Sequence, residues 1–554
     1  MGMITSVKNK FPKSYNHSKP LTTSLSTSYT PPLWATEVFR GSTECASMPR
    51  EGNGPHRDAR TGWGWVRTII YIALLIGSAF FNNTRAEDLL PRSTPEAQGV
   101  SSLHIQEFFD TLMQDSRTEV HSCIVMRHGH VVAEMYPYPW RKEYRHTTYS
   151  ISKTFTSVAV GMCIADSLIA LGDTIGKFLA IPPHASKSIC AITVRDLLTM
   201  QSGIPVDTKM RIHETQWLHA YLSKKSTSIP GTRWAYDSIM SYLLSAIVQK
   251  VTGQTLMDLL RERLFQPLGI TDALWEESPE GITCGGWGLY IRPESMAMLG
   301  QLLLDKGTWM GKEIVSSWWV EEMMKPQTAN GRYSYHIWQT QYPGWAEANG
   351  AYGQYIFVIP EADMVVSLTQ CTGKRAPIQE WIKSMLVDKC QADTLPPSDS
   401  QISFSDYSLP LAKGEKASPT RLDSTWYTLD KNPLNWQGIS ISNNADTLFM
   451  HIRETKEKTY TIALGHGKWI ESEFDALPYY NPPFQGNFSN LPTTWHIAGS
   501  YGWTDTNTLN IQLHWVDWLT SASLQLRISN QGTPTITITP HETGKSQDIL
   551  TYPL

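Results

Sequence analysis

Ser150 and Lys153 stand three residues apart in the run Tyr149-Ser150-Ile151-Ser152-Lys153-Thr154-Phe155. On a helix, residues three apart share a face, so a serine on the first turn can touch such a lysine. A serine hydroxyl is a weak nucleophile until a base takes its proton. A buried lysine can be that base, because desolvation and nearby charge lower its pKa towards neutrality. Backbone N–H groups at the helix start sit where negative charge would develop. Together these residues are suited to acyl transfer through a serine ester. The same spacing on a solvated helix face would do no chemistry. Here Tyr149, Ile151, Phe155, Val158 and Val160 flank the pair, which argues for burial. Ser152 offers a second hydroxyl inside the motif, but it does not stand three residues before the lysine.

Such chemistry needs a second proton-handling group. Pro230-Gly231-Thr232-Arg233-Trp234-Ala235-Tyr236-Asp237-Ser238 lies directly before a helix expected to begin near Ser241. A tyrosine at that turn can reach the serine and lysine from the far side of a cleft. Standing alone, Tyr236 would be read as a packed loop residue.

The elements that must position these groups run from Leu89 to about Cys390. His121 to Arg127 and His130 to Tyr136 are apolar runs joined by His128-Gly129, a hairpin pattern. The Ser150 helix follows and is expected to end near Gly172-Asp173. Thr193 is a candidate cap for the next helix. Ser241 to Val251 and Thr255 to Leu264 are amphipathic and broken at Gly253, and Met296 to Leu304 is also helical. Tyr355 to Ile359, the turn Pro360-Glu361-Ala362-Asp363, and Met364 to Thr369 form a second hairpin. Ile378 to Val387 is a closing helix that Pro377 can start. Strands early and late with helices between predict an α+β domain, an antiparallel sheet flanked by helices.

Residues 393–406 have linker composition, and 407–554 change texture. Short alternating runs such as Gly438 to Ser442, Thr447 to Ile452 and Thr535 to Thr539 predict an all-β module, a sandwich or a barrel. Its His466, His496 and His514 lack metal-ligand spacing and read as surface or satisfied histidines.

A chain of 554 residues suggests more than one domain, and 41% hydrophobic content supplies ample core. The net charge of −4 gives no reason to expect nucleic acid as a partner. The 21 tryptophans suit cores and acyl- or carbohydrate-lined clefts equally. The 7 cysteines form no C-x-x-C pair, so a zinc ribbon is not expected. Cys123 and Cys163 read as buried hydrophobes, while the pairing of Cys371 with Cys390 is left open.

Residues 1–62 lack apolar periodicity and read as a disordered leader, a gene-start error if the true start lies near Met48 or Val66. Residues 63–86 carry a basic residue, the apolar run Ile69 to Phe81, and Thr84-Arg85-Ala86. That order resembles a secretory signal, and export to the periplasm or medium is the expectation. The rival is a membrane or cell-envelope anchor formed by residues 66–81.

With both motifs in hand, residues 87–392 resemble the serine β-lactamase and penicillin-binding-protein superfamily, in the class C, esterase and 6-aminohexanoate-dimer hydrolase branch. Ser150-x-x-Lys153 matches the first motif. Tyr236-Asp237-Ser238, about 86 residues on, matches the Y-x-N or Y-x-S second motif. Thr193 to Gly203, Gly286 to Tyr290 and Gly353 to Val358 match in texture. The best candidate for the third motif, K-T-G or H-x-G, is Ala348-Asn349-Gly350, which has no cation at its first position. The resemblance implies a β-lactamase/transpeptidase-like fold, Ser150 as nucleophile, Lys153 as its base, and Tyr236 as partner base and then acid. It also implies an oxyanion hole from the Ser150 and Ala351 N–H groups, with Gly350 and Ser238 beside the substrate. No cofactor or metal is expected, and the substrate is a small-molecule or peptide-like acyl compound. An exported ester or amide hydrolase is the leading expectation. The alternatives are D-amino-acid peptidase, penicillin-binding or β-lactamase activity, and a catalytically silent binding protein.

Overall fold

The computed structural model describes residues 89–207, 210–392, 394–398, 403–416, 424–444, 447–478, 490–528 and 534–553. The leader, the apolar run of 69–81 and part of the expected linker lie outside the described residues. Among the described residues, no helix is long and apolar enough to cross a membrane.

The N-terminal part of the described chain is built on a six-stranded antiparallel sheet. Its strands are β1 (Val120–Arg127), β2 (His130–Met135), β3 (Trp338–Gln339), β4 (Ala346–Gly350), β5 (Gln354–Ile359) and β6 (Met364–Gln370), in the order β2-β1-β6-β5-β4-β3. Both predicted hairpins are present. Cys123 pairs with Met135 across β1–β2, and Phe357 with Val366 across β5–β6.

β1 is buried along its whole length, because the two sheet faces meet different cores. Cys123 and Val125 pack with Ile105, Phe108 and Leu112 of helix α1 (Ser102–Gln114) and with the closing helical segment at Ile378, Ile382 and Leu386. Ile124 and Met126 face the larger helical core. That core holds α2 (Ser152–Ala165), α3 (Ser238–Thr252) and α4 (Pro293–Leu304). The boundaries of α2 and α3 differ from the sequence reading, and α4 starts at Pro293 rather than Met296. α2 stops at Ala165, where Ser167 turns the chain at a φ of 59°. α3 starts at Ser238 rather than Ser241, because the Asp237 carboxylate accepts the Ile239 N–H at 3.0 Å and caps it. The Thr193 cap forms as expected, with Asp196 completing a capping box.

The C-terminal module is a barrel rather than a sandwich. Its strands are β7 (Tyr427–Leu429), β8 (Gly438–Asn444), β9 (Thr447–Arg453), β10 (Thr459–His466), β11 (Ile470–Phe474), β12 (Trp495–Trp503), β13 (Thr508–Trp515), β14 (Ser521–Arg527), β15 (Thr535–Pro540) and β16 (Gln547–Pro553). They run in the order β10-β9-β8-β7-β16-β15-β14-β13-β12-β11, and parallel pairing of β10 with β12 closes the sheet. Their alternate residues fill one apolar interior.

The barrel is packed directly against the half that holds the six-stranded sheet. Tyr149, Tyr290 and Cys371 belong to the barrel's own hydrophobic cluster. Tyr290 stacks on Trp518 with ring centroids 4.8 Å apart, and the Thr147 N–H donates to the Trp518 carbonyl at 3.1 Å. Cys371 and Cys390 are both free thiols. His514 is neither a surface nor a satisfied histidine. It is 3% exposed, and its Nδ1 makes no hydrogen bond among the described residues.

Candidate active site

Ser150 does not lie inside α2. It sits on a 3-10 turn, Tyr149–Ile151, that feeds straight into the helix. The turn keeps the i, i+3 adjacency that the motif needs. Tyr149 adopts a left-handed φ of 46°, a conformation costing roughly 1–3 kcal/mol at a non-glycine residue. Burial of its ring in the barrel's cluster offsets that cost. Tyr149 and Ile151 are buried on either side, which leaves Ser150 partly exposed at the turn's tip.

The geometry separates the two serines of the motif. Ser152 is fully buried. Its hydroxyl donates to the Tyr149 carbonyl at 2.6 Å and accepts the Leu289 N–H at 3.2 Å. That hydroxyl is committed to holding the turn, whereas Ser150 Oγ faces Lys153 Nζ at 2.9 Å.

Lys153 Nζ has three oxygen neighbours: Ser150 Oγ at 2.9 Å, Ser238 Oγ at 3.0 Å and the Gly286 carbonyl at 2.6 Å. A neutral amine has two N–H donors and one lone pair. The carbonyl can only accept, so it takes one N–H. Ser238 takes the other, and the lone pair is left for the Ser150 proton. An ammonium satisfies the same three neighbours with three N–H donors, so proton transfer needs no rearrangement. Burial pushes the Lys153 pKa well below its ordinary value, Arg211 pushes it further down, and Asp237 opposes both.

Tyr236 flanks the pair from the other side. Its ring centroid is 4.8 Å from Lys153 Nζ. Burial raises the phenol's pKa above its ordinary value, and the Ser150 hydroxyl only partly opposes this. The resting group is therefore a neutral phenol, able to donate a proton. Aromatic packing fixes it: Tyr236 stacks on Trp338 at 5.5 Å, and Tyr333 meets Trp338 edge-on at 4.8 Å. Ser238 and Tyr236 both come from the α3 start, so the Asp237 cap sets the height of each.

Gly350 ends β4 against the Tyr149–Ile151 turn. A Cβ there would lie 2.3 Å from the Thr148 carbonyl oxygen, so only glycine permits this approach. Ala351 follows at the tip of the β4–β5 turn, where Tyr352 and Gly353 take φ values of 62° and 94°. Ala348 points into the core at 2% exposure, and Asn349 Nδ2 donates to Glu347 at 2.9 Å. No cation stands on β4. A cavity of about 650 Å³ opens beside Gly350 and Ala351, with Trp338, Asn349, Lys374 and Arg375 in its wall.

Two participants were not legible as functional residues. Gly286 supplies a carbonyl to Lys153 because Gly285 and Gly286 lie against the α3 backbone, where a Cβ would meet the Ser241 and Ser238 carbonyl oxygens at 2.7 and 2.5 Å. Arg211, whose guanidinium carbon lies 4.5 Å from the Trp287 ring centroid, brings positive charge to the lysine from a short helix, Met210–His213.

Residues 105–377 match the family described as Beta-lactamase. A 277-residue stretch is 23% identical to a 6-aminohexanoate-dimer hydrolase of Paenarthrobacter ureafaciens, covering 44% of this chain and 70% of that protein. A 159-residue stretch is 28% identical to a lovastatin esterase of Penicillium rubens, covering 22% of this chain and 38% of that one. A solved family VIII carboxylesterase aligns with a TM-score of 0.45 at 17% identity, over 54% of this chain and 98% of that one. The domain carrying Ser150, Lys153 and Tyr236 belongs to the serine β-lactamase and penicillin-binding-protein superfamily.

Proposed function

We propose that the protein hydrolyses an ester or amide through an acyl-enzyme on Ser150. The observation that carries this reading is the 2.9 Å contact between Ser150 Oγ and the buried, pKa-depressed Lys153 amine. In acylation the Ser150 proton passes to Lys153 Nζ while Oγ bonds to the substrate carbonyl carbon. The oxygen that gains charge is met by the Ser150 and Ala351 N–H groups. The carbon–leaving-group bond then breaks, and the neutral Tyr236 phenol supplies the departing atom's proton, to be restored from the Lys153 ammonium. Water attacks the ester in the second half, with the same groups returning the proton to Ser150.

The half-buried rings of Trp338 and Tyr236, backed by the buried Tyr333, favour an apolar acyl or leaving group. Similarity to proteins named as a lovastatin esterase and a 6-aminohexanoate-dimer hydrolase supports the same class. A second reading, a peptide-like substrate with a free carboxylate, draws support from Lys374 and Arg375 in the adjoining cavity. Arg375 is shared there with the buried carboxyl of Glu347, which weakens that reading. Steady-state hydrolysis of p-nitrophenyl butyrate and nitrocefin by one preparation separates the two. The ester should have the larger kcat/KM. A larger value for nitrocefin would mean that a cation outside β4 holds the substrate carboxylate. Export remains part of the proposal, and N-terminal sequencing of the native protein tests it: a start near Glu87 supports a signal peptide, and a retained apolar run supports an anchor.

A further inference from the structure

Behind the nucleophile turn, where the barrel meets the sheet, lies a buried group of histidines and acids that the proposed hydrolysis does not use. Glu119 and His121 come from the start of β1, His514 from β13, and His541 and Glu542 from the end of β15. His121 and His514 are 1% and 3% exposed. One ligand atom from each of Glu119, His121 and His514 lies within 4.8 Å of the other two. Glu119 Oε1, His121 Nε2 and His514 Nδ1 are buried and make no hydrogen bond among the described residues.

The surrounding bonds fix which atoms carry protons. The Thr147 carbonyl can only accept, so His146 Nδ1, 2.9 Å from it, is protonated. Neutral His146 then has a bare Nε2, which accepts from His121 Nδ1–H at 2.9 Å. In neutral His121 that leaves Nε2 as a bare lone pair, aimed at Glu119 Oε1 from 3.5 Å. His514 Nδ1 faces the same oxygen from 3.8 Å. The other carboxylate oxygen, Oε2, is already held by His541 Nδ1 at 2.5 Å, and His541 Nε2 reaches Ser523 Oγ at 2.7 Å. With His121 neutral, two electron-rich atoms, His121 Nε2 and Glu119 Oε1, thus face each other with no donor between them, and the bonds of His121 and Glu119 to their other neighbours orient them. A metal-ligating histidine characteristically donates its second N–H to a fixed partner, as His121 does.

We propose that Glu119, His121 and His514 bind a zinc ion that joins the barrel to the catalytic domain. Two imidazoles and one carboxylate suit zinc in tetrahedral geometry, with water as the fourth ligand. Zn–N and Zn–O bonds of about 2.0–2.1 Å place neighbouring ligand atoms about 3.4 Å apart in a tetrahedron; the two separations to Glu119 Oε1 are 3.5 and 3.8 Å, and the three atoms, all within 4.8 Å of one another, draw together on binding. Glu542, 2% exposed and next to His541, has neither carboxyl oxygen hydrogen-bonded among the described residues. The ligands come from both domains. His146 is also four residues before Ser150, so the ion would brace the strand that presents the nucleophile. Spacing could not disclose the site, because His514 lies almost four hundred residues after His121.

The test uses the untagged full chain, purified from zinc-containing medium and freed of loose metal by gel filtration. Elemental analysis should find one zinc per chain, and chelation should lower Tm. After chelation, cobalt(II) should restore the visible d–d absorption of a tetrahedral site. His514→Gln should lose both the zinc and the cobalt band, and His146→Ala should weaken zinc binding by about 10–100-fold. His219→Gln removes a histidine of the unrelated His184–His219 pair and should leave the zinc in place. If His514→Gln does not fold, the wild-type cobalt titration decides alone. A metal-free wild type with no cobalt band, or a folded His514→Gln that keeps its zinc, would overturn the site and leave a plain His121–Glu119 ion pair.

Discussion

Replacing Ser238 with alanine removes one of the three oxygens around Lys153 Nζ and leaves Ser150 and Gly286 in place. Ser238 is the first residue of α3, and Asp237 rather than Ser238 supplies the cap, so the helix should survive. The lost bond, 3.0 Å long, matters most when Lys153 has taken the Ser150 proton, because the ammonium then needs three acceptors in a buried site. A hydrogen bond to a charged group contributes about 1.5–3 kcal/mol. At about 1.36 kcal/mol per decade, kcat/KM for p-nitrophenyl butyrate should fall about 10- to 150-fold. The charged lysine loses an acceptor, so its pKa should drop further, and the acid limb of the pH profile should move to lower pH. Covalent labelling of Ser150 should slow but persist. Ser238→Asn, which keeps an acceptor, should recover part of the loss. An alanine variant with unchanged kcat/KM and an unmoved pH profile would refute the claim that Ser238 supports the protonated lysine.

Arg211→Gln removes a positive charge that depresses the Lys153 pKa, so the acid limb of kcat/KM should move to higher pH, whereas Asp237→Asn should move it to lower pH. Shifts of the same sign in both variants would contradict this electrostatic assignment. Gly350→Ala drives a Cβ to within 2.3 Å of the Thr148 carbonyl and should displace Ala351. Losing one oxyanion donor costs about 10²–10³-fold in kcat, so a folded Gly350→Ala with native turnover would remove Ala351 from the oxyanion hole.

The parts of the site visible in the sequence are those that local spacing encodes. Ser150 and Lys153 are one helical turn apart, and Tyr236 and Ser238 sit on a single capped helix start. Ser152 could be set aside only in three dimensions, where the Tyr149 carbonyl and the Leu289 N–H occupy its hydroxyl. The α3 start at Ser238 is hidden in the sequence because Asp237 belongs both to the Tyr-x-Ser motif and to the helix cap. Gly286 acts through its backbone carbonyl, which no side-chain pattern reports. Arg211 reaches Lys153 only through the tertiary fold. In the barrel, alternation gave the strands, but the parallel β10–β12 closure involves just Gly465–Ser500 and His466–Tyr501, too little to leave a pattern. Nor did the sequence indicate that the barrel's cluster would enclose Tyr149, the residue before the nucleophile.

Ser150, activated by Lys153, is proposed to carry the acyl group, and intact-mass measurement with peptide mapping after reaction with a fluorophosphonate tests this. A single adduct per chain is expected, on Ser150. Ser150→Ala should give no adduct, Ser152→Ala should still be labelled, and labelling should collapse in Lys153→Arg, because arginine stays protonated. An adduct on another residue, or full labelling of Ser150→Ala or of Lys153→Arg, would contradict it.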